Sequence, residues 1–373
     1  MTTAPRKMQH LASLKLNCSV RERSLNPLIK VEGLAYVVIQ RPDIDKASAF
    51  FADFGLLLDK HTGDSIYLRG RSELHHALVI EKGAAKFDRV GLTASAKDMQ
   101  TLADHFSVPI QHRKPPMGGR FVCLQDPNGL TIEVNCELAK LPPIDRSLTP
   151  SWNTSDTKTR VNETVRKKIA PPPVHKLGHT VHSVRAIKES VHWYQDTFGL
   201  IVSDFQFLQD DNTPTVAFLR CDLGDTPTDH HTIAMALTPN LGHEHTAFEL
   251  DSMEDIAIGQ ECMRKSQYKH SWGIGRHILG SQIFDYWRDS AGDMFEHYAD
   301  GDLFDANTHT GYHLFNRDAQ HQWGPAMSAN FSGLDRPWNV LKNVVKRLFS
   351  DDELSVEKLK GFSRAMKTGA GTE

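Results

Sequence analysis

The chain has 373 residues, 39% of them hydrophobic, and a formal charge of -3 at pH 7, a length suited to two or three domains, each with its own core. Acidic and basic residues are interspersed, with neither a basic face for nucleic acid nor an acidic tail, so a small-molecule partner is expected. Five cysteines, Cys18, Cys123, Cys136, Cys221 and Cys262, include no CxxC pair; this argues against a disulfide framework or thiolate zinc site and points to a reducing cytoplasm.

No run reaches the ~20 apolar residues of a membrane helix, and no apolar core of a secretory signal is expected at the N-terminus. Residues 1–30 read as an arm, basic at its start. The first module is expected over 31–136 and opens on "GLAYVVIQRPDIDKASAFFADFGL", a strand, a turn and a helix stopped by Gly55. It continues with the strand "HHALVI", a strand and helix in "RVGLTASAKDMQTLADHF", and a two-strand turn in "CLQDPNGLTIEVN". Residues 137–175, rich in Pro, Ser and Thr, read as an extended connector.

A second module, over 176–302, repeats the first. "GHTVHSVRAIKESVHWYQDTFGL" ends its helix at Gly199, "HHTIAMAL" matches "HHALVI", and "HTAFELDSMEDIAIGQECM" supplies the next strand and helix. "YWRDSAGDMFEHYAD" supplies the turn; Asp126 and Glu133 in one copy, Asp289 and Glu296 in the other, keep the same seven-residue spacing. The order is β-α-β-β-β in each copy, with room for further pairing. The tail, 303–373, holds the aromatic stretch "GYHLFNRDAQHQWGPAM", a rim or lid or a plain surface connection. Two amphipathic helices then pack on the domains or on a second subunit.

The copies differ in chemistry. Aligned on Gly33 and Gly178, the second carries His179, His245 and Glu296 where the first carries Leu34, Arg89 and Glu133. Two imidazoles and a carboxylate suit Fe(II), or Mn(II) as a close substitute, and leave adjacent positions open for a chelating substrate and dioxygen. Strand alternation puts Val181 on the face of His179 and turns His182 and His297 away. Glu249 shares the face of His245 and is the rival carboxylate. The plain alternative is that all three are hydrogen-bonded core groups.

The second half, through "LGHTVHSV", "HTAFEL" and "GIGRHILGSQIFDYWRDSAGDMFEHY", resembles the type I extradiol ring-cleaving dioxygenases of the vicinal oxygen chelate superfamily. The family shows Gly-Arg-His, a Tyr nine residues later, Asp-Pro-x-Gly and a ligand Glu; here these are Gly275, Arg276, His277, Tyr286, Asp289, Gly292 and Glu296, with Ser290 in place of Pro. The resemblance implies an α+β fold of tandem vicinal oxygen chelate modules, each of paired βαβββ units forming an open barrel, plus the helical tail. It implies meta cleavage of a catechol with O2 at a mononuclear Fe(II), in aromatic catabolism.

It further implies an acid/base His in "DHHT", where alternation lets only one of the pair face the metal; the motif leans to His230, with His231 as alternative and substrate-lining residue. Tyr286 and His277 would bond the substrate oxygens, and Val181 would present an apolar wall. By spacing, the first-copy counterpart of Tyr286 is Cys123. The rivals are a glyoxalase-type isomerase or thiol transferase and a non-catalytic aromatic-ligand-binding protein. A cytoplasmic homo-oligomer is expected.

Overall fold

The computed structural model describes residues 15–145, 152–209, 211–332, 337–350 and 352–367. The first copy forms one eight-stranded sheet from β1 (Gly33–Arg41), β2 (Leu57–Thr62), β3 (Ser65–Arg69), β4 (Leu78–Lys82), β5 (Lys86–Thr93), β6 (Gln111–His112), β7 (Arg120–Gln125) and β8 (Thr131–Cys136). Their order across the sheet is β2-β3-β4-β1-β5-β8-β7-β6. Helices α1 (Ile44–Phe54) and α2 (Ala96–Phe106) follow the first and fifth strands, so the sheet is two βαβββ units joined where β1 runs antiparallel to β5.

The second copy repeats the plan with one insertion and one addition. Its strands are β9 (Leu177–Ser183), β10 (Ile201–Phe207), β11 (Val216–Arg220), β12 (Thr228–Asp229), β13 (Ile233–Ala236), β14 (Gly242–Glu249), β15 (Lys269–Arg276), β16 (Ile283–Arg288), β17 (Met294–Ala299), β18 (Leu303–Phe304) and β19 (Gly311–Leu314). The nine-stranded sheet runs β15-β16-β17-β14-β9-β13-β11-β10-β19, with β12 and β18 paired apart. Its helices are α3 (Ile187–Phe198) and α4 (Met253–Lys265). The paired βαβββ architecture read from the sequence is present in both halves, and neither sheet closes on itself.

The helices form where polar caps meet an apolar stripe. Asp43 accepts a hydrogen bond from the Lys46 amide at 2.9 Å at the start of α1, and Gly55 ends it in the left-handed region at φ 105°. Ile44, Ala47, Phe50, Phe51 and Phe54 form its buried stripe, and Ile187, Val191, Tyr194 and Phe198 that of α3.

Sheet register corrects one sequence equivalence. Tyr36 of β1 pairs with Gly91 while Arg89 faces Val38; His179 of β9 pairs with Ala247 while His245 faces Val181. The first-copy counterpart of His179 is therefore Tyr36 and not Leu34. Aligning the copies on Gly33 and Gly178 places the strands two residues out of step, whereas the helices start in register at Ile44 and Ile187. Gly91 belongs to this arrangement, since a Cβ there would lie 2.6 Å from the Tyr36 ring. Cys123 pairs with Glu133 as Tyr286 pairs with Glu296, which supports that equivalence.

The halves meet through the outer faces of their sheets. Phe51 of α1 packs edge-on against Phe295 of β17 with centroids 4.8 Å apart, and Phe54 stacks on His297 at 3.7 Å. Phe87 of β5 stacks on His243 at 4.0 Å. A buried ion cluster joins them: Arg41, at the end of β1, is 2.6 Å from both Asp289 and Asp293 in the turn that leads into β17. The connector ends pinned between the halves, with Val174 buried and the His175 amide donating to Glu249 O at 2.7 Å.

The tail packs on the second copy. Its strand β19 extends that sheet parallel to β10. Helices α5 (Pro337–Leu348) and α6 (Val356–Lys367) follow; Phe362 contacts Phe315 edge-on at 5.4 Å, and buried Arg347 donates to Val184 O at 2.7 Å.

Candidate metal centre

The concave face of the second sheet gathers the three expected ligands. β9 brings His179, β14 brings His245 and β17 brings Glu296; the last two strands run parallel, and β9 lies against β14. Nε2 of both histidines lies 3.2 Å from Glu296 Oε2. One donor atom from each of the three residues falls within 4.8 Å of the others, and all three residues are buried. Strand β9 is buried throughout, and Gly178 leaves room for Tyr298, which leans across it: a Cβ there would collide with the phenol.

The neighbours set aside by alternation lie elsewhere. His182 and His243 pack against Phe87, and the His297 Nε2–H donates to Phe54 O at 2.7 Å. The rival carboxylate Glu249 lies at the far end of β14, 3.7 Å from Lys176 Nζ.

The donor set fits a divalent ion. Glu296 Oε1 is buried without a hydrogen-bond partner, a costly state for a carboxylate oxygen that a cation would relieve. Burial alone would raise the Glu296 pKa, but the imidazoles of His179 and His245 hold it well below the usual carboxylate range. Burial lowers the pKa of His179, which favours the neutral, ligating form. Its other nitrogen, Nδ1, lies 3.5 Å from the Gln282 side-chain amide, an outer contact of the kind that orients ligating imidazoles. Sequence reasoning missed Gln282, because an amide after a loop carries no motif.

His277 and Tyr286 stand together beside the ligands. His277 Nδ1 is 2.8 Å from Gln320 O, which can only accept, so Nδ1 carries the proton. Nε2 of neutral His277 then accepts from the Tyr286 hydroxyl at 2.9 Å, and it lies 4.0 Å from Glu296 Oε1. Burial pushes His277 down to about 4 and Tyr286 well above the usual phenol range. Gln320 belongs to the aromatic stretch after the second copy. That stretch is the rim of the site: Trp323 bridges to Arg276, and Trp272 Nε1 donates to Pro325 O at 2.8 Å.

Of the two adjacent histidines it is His231 that reaches the cavity, which reverses the preference for His230. The His231 ring lies 4.0 Å from that of His179. His230 is fully buried behind it, with Nε2 2.6 Å from Asp204 Oδ2. Ala234 and Ala236 of β13 line the cavity, so regular alternation would give that face to His230; residues 230–232 lie outside the strand, and in this irregular stretch it is His231 that takes the ligand face.

His179, His231, His245, His277 and Tyr286 line a cavity of about 940 Å³. Val181, as expected, is in its wall, with Val216, Phe218, Trp272, Phe331 and Phe362. Because strands from both ends of the sheet line one space, the sheet must curl around it, and α6 and the rim close the side that the strands leave open.

Residues 176–296 match the family model described as the Glyoxalase/Bleomycin resistance protein/Dioxygenase superfamily. Metapyrocatechase 2 of Cupriavidus necator is 30% identical to the chain over 168 residues, 45% of this chain and 50% of the relative. The chain thus matches about half the length of that curated relative.

Among solved structures, an extradiol ring-cleaving dioxygenase from B. fuscum superposes with a TM-score of 0.69 at 18% identity, covering 84% of each chain. The Mn(II)-bound glyoxalase from Novosphingobium aromaticivorans gives 0.66 at 23% identity, over 81% of this chain and 94% of that one. At these identities the structures establish the shared fold, over both modules.

Proposed function

We propose that the chain is an extradiol dioxygenase, which opens the ring of a catechol with O2 beside the diol, in aromatic catabolism, with His179, His245 and Glu296 holding one Fe(II). Mn(II) is the alternative ion, since the ligand set serves both. The observation that carries this reading is the company the three ligands keep: His231, His277 and Tyr286 converge on them in one apolar cavity. A passive aromatic-binding pocket has no need of those groups. The metapyrocatechase similarity supports the same activity.

An ion held by His179, His245 and Glu296 would supply Lewis acidity and would let substrate and O2 meet already positioned. His231 receives the proton of a catechol hydroxyl and returns it to the departing oxygen, a task suited to imidazole near neutral pH. Tyr286, whose hydroxyl rests on His277, turns to donate to an anionic substrate oxygen, while the Gln320 carbonyl keeps His277 in place. Trp272, Phe218 and Phe331 exclude water and favour a catechol whose substituent is uncharged and apolar.

The test is anaerobic reconstitution with Fe(II), then addition of mono- and bicyclic catechols and air. O2 uptake with a new visible absorbance from the ring-opened product is expected. Stoichiometric iron with no uptake for any catechol would sink the reading. Among the described residues no helix is long and apolar enough to cross a membrane. We place the enzyme in the cytoplasm as a homo-oligomer, an assembly that sedimentation velocity reads directly.

A further inference from the structure

Behind His231 lies a polar chain that the site as described does not use. His231 Nδ1 is 3.0 Å from His230 Nδ1, and His230 Nε2 is 2.6 Å from Asp204 Oδ2. Asp204, on β10, is held at its other oxygen by His313 Nε2 at 2.8 Å. His230 is fully buried, and His313, on β19, is partly exposed. The chain thus runs from the cavity through the sheet to the strand that the tail adds.

Its donors and acceptors have one consistent order when the imidazoles are neutral. An ionised carboxylate can only accept, so His230 Nε2 must carry the hydrogen. Nδ1 of His230 is then a lone pair, and the facing Nδ1 of His231 must carry the hydrogen that fills the contact. That leaves His231 Nε2, the nitrogen not engaged by His230, as a lone pair for the cavity. Asp204 is suited to start the sequence: burial works against its charge, but the bonds from His230 and His313 keep it below the usual carboxylate range.

We propose that Asp204 and His230 are positioning residues that fix His231 as the Nδ1–H tautomer, so that a basic nitrogen, and not an N–H, meets the substrate hydroxyl. His313 holds the carboxylate in line. The first copy also has a histidine pair and lacks this chain: His76 bonds Asp59 directly at 2.8 Å, and His75 turns to the His76 carbonyl. A structural need for two adjacent histidines therefore does not account for the Asp204–His230–His231 series. Its consequence for catalysis rests on the dioxygenase reading; the tautomer does not.

The experiment is long-range 1H–15N correlation on 15N-histidine-labelled, full-length protein loaded with diamagnetic Zn(II), with His231 identified by the signals lost in His231→Gln. In the wild type His231 should be the Nδ1–H tautomer, favoured by roughly tenfold or more, the value of a well-made hydrogen bond. Asp204→Asn should erase or invert that preference, because its amide can donate to His230. A wild-type His231 found as Nε2–H or as the cation overturns the proposal, as does a preference unchanged in Asp204→Asn. If the variant does not fold, the wild-type spectrum alone decides. With Fe(II) and an active catechol, Asp204→Asn should lower kcat and leave KM nearly unchanged. The expected tautomer without O2 uptake from any catechol leaves the inference standing and removes the dioxygenase reading; uptake with the wrong tautomer does the reverse.

Discussion

At the scale of single residues, the proposed ligands and the proposed proton carriers should fail differently. Glu296→Ala removes the only carboxylate of the cluster and should abolish Fe(II) binding in anaerobic calorimetry. Full retention of iron would refute the ligand assignment. His231→Asn should bind iron as before and lose about 10²–10⁴ in kcat, the usual contribution of a general acid–base group, read by O2 uptake under saturating catechol. The proposed ligands stood out in the sequence because the repeat sets His179 and His245 against residues that do not bind metal and keeps a Glu at the place of Glu296. The choice between His230 and His231 was not, because parity on a strand depends on where β13 enters the sheet, and no residue type marks that point. Gln282 and Gln320 were equally silent, one an ordinary amide and the other acting through its backbone.

At the scale of elements, position depends on small backbone features. β9 passes beneath Tyr298 without a clash because residue 178 is a glycine. Gly178→Ala should cost about 1–3 kcal/mol in urea denaturation, the range for overpacking, with metal affinity reduced because His179 adjoins it. The turn before β17 depends on the other module. Arg41 is 1% exposed and binds both Asp289 and Asp293, so Arg41→Ala strands two carboxylates and should destabilise by about 3–5 kcal/mol.

Acid reads the same cluster. Burial would raise the Asp293 pKa, but His243 and Arg41 hold it down to about 2, against ~3.9 unfolded. A depressed carboxylate stabilises fully above its unfolded pKa and loses that contribution as pH falls toward the folded value. The stability gap between wild type and Asp293→Asn, measured without metal, should therefore shrink by roughly 2 kcal/mol between pH ~4 and ~2. A constant gap would refute the assignment. The mismatch of Leu34 with Tyr36 arose at this scale too: Gly33 and Gly178 look alike in sequence, and only sheet register shows that they are not equivalent.

For the whole molecule, the paired βαβββ plan was readable because both copies spell it and because alternation and caps agree with it. The tail was not: its aromatic stretch has no repeat partner, and its roles, an added strand and a rim, are set by the sheet it meets. In the first copy, Glu133 is bonded by the Tyr36 hydroxyl at 2.5 Å and lies 3.2 Å from Arg89 and 2.9 Å from Arg113. Two guanidiniums thus surround Glu133, at the place that Glu296 holds in the other copy. Chelator should lower stability only by the metal-linked increment, about 2.7 kcal/mol where free ion had stood at a hundred times Kd, and calorimetry should still show cooperative unfolding. A guanidinium cannot be chelated, oxidised or exchanged. On the proposed function, loss of the ion would then stop turnover while leaving the architecture intact, with Arg41 still bound to Asp289 and Asp293 in the turn that leads to Glu296.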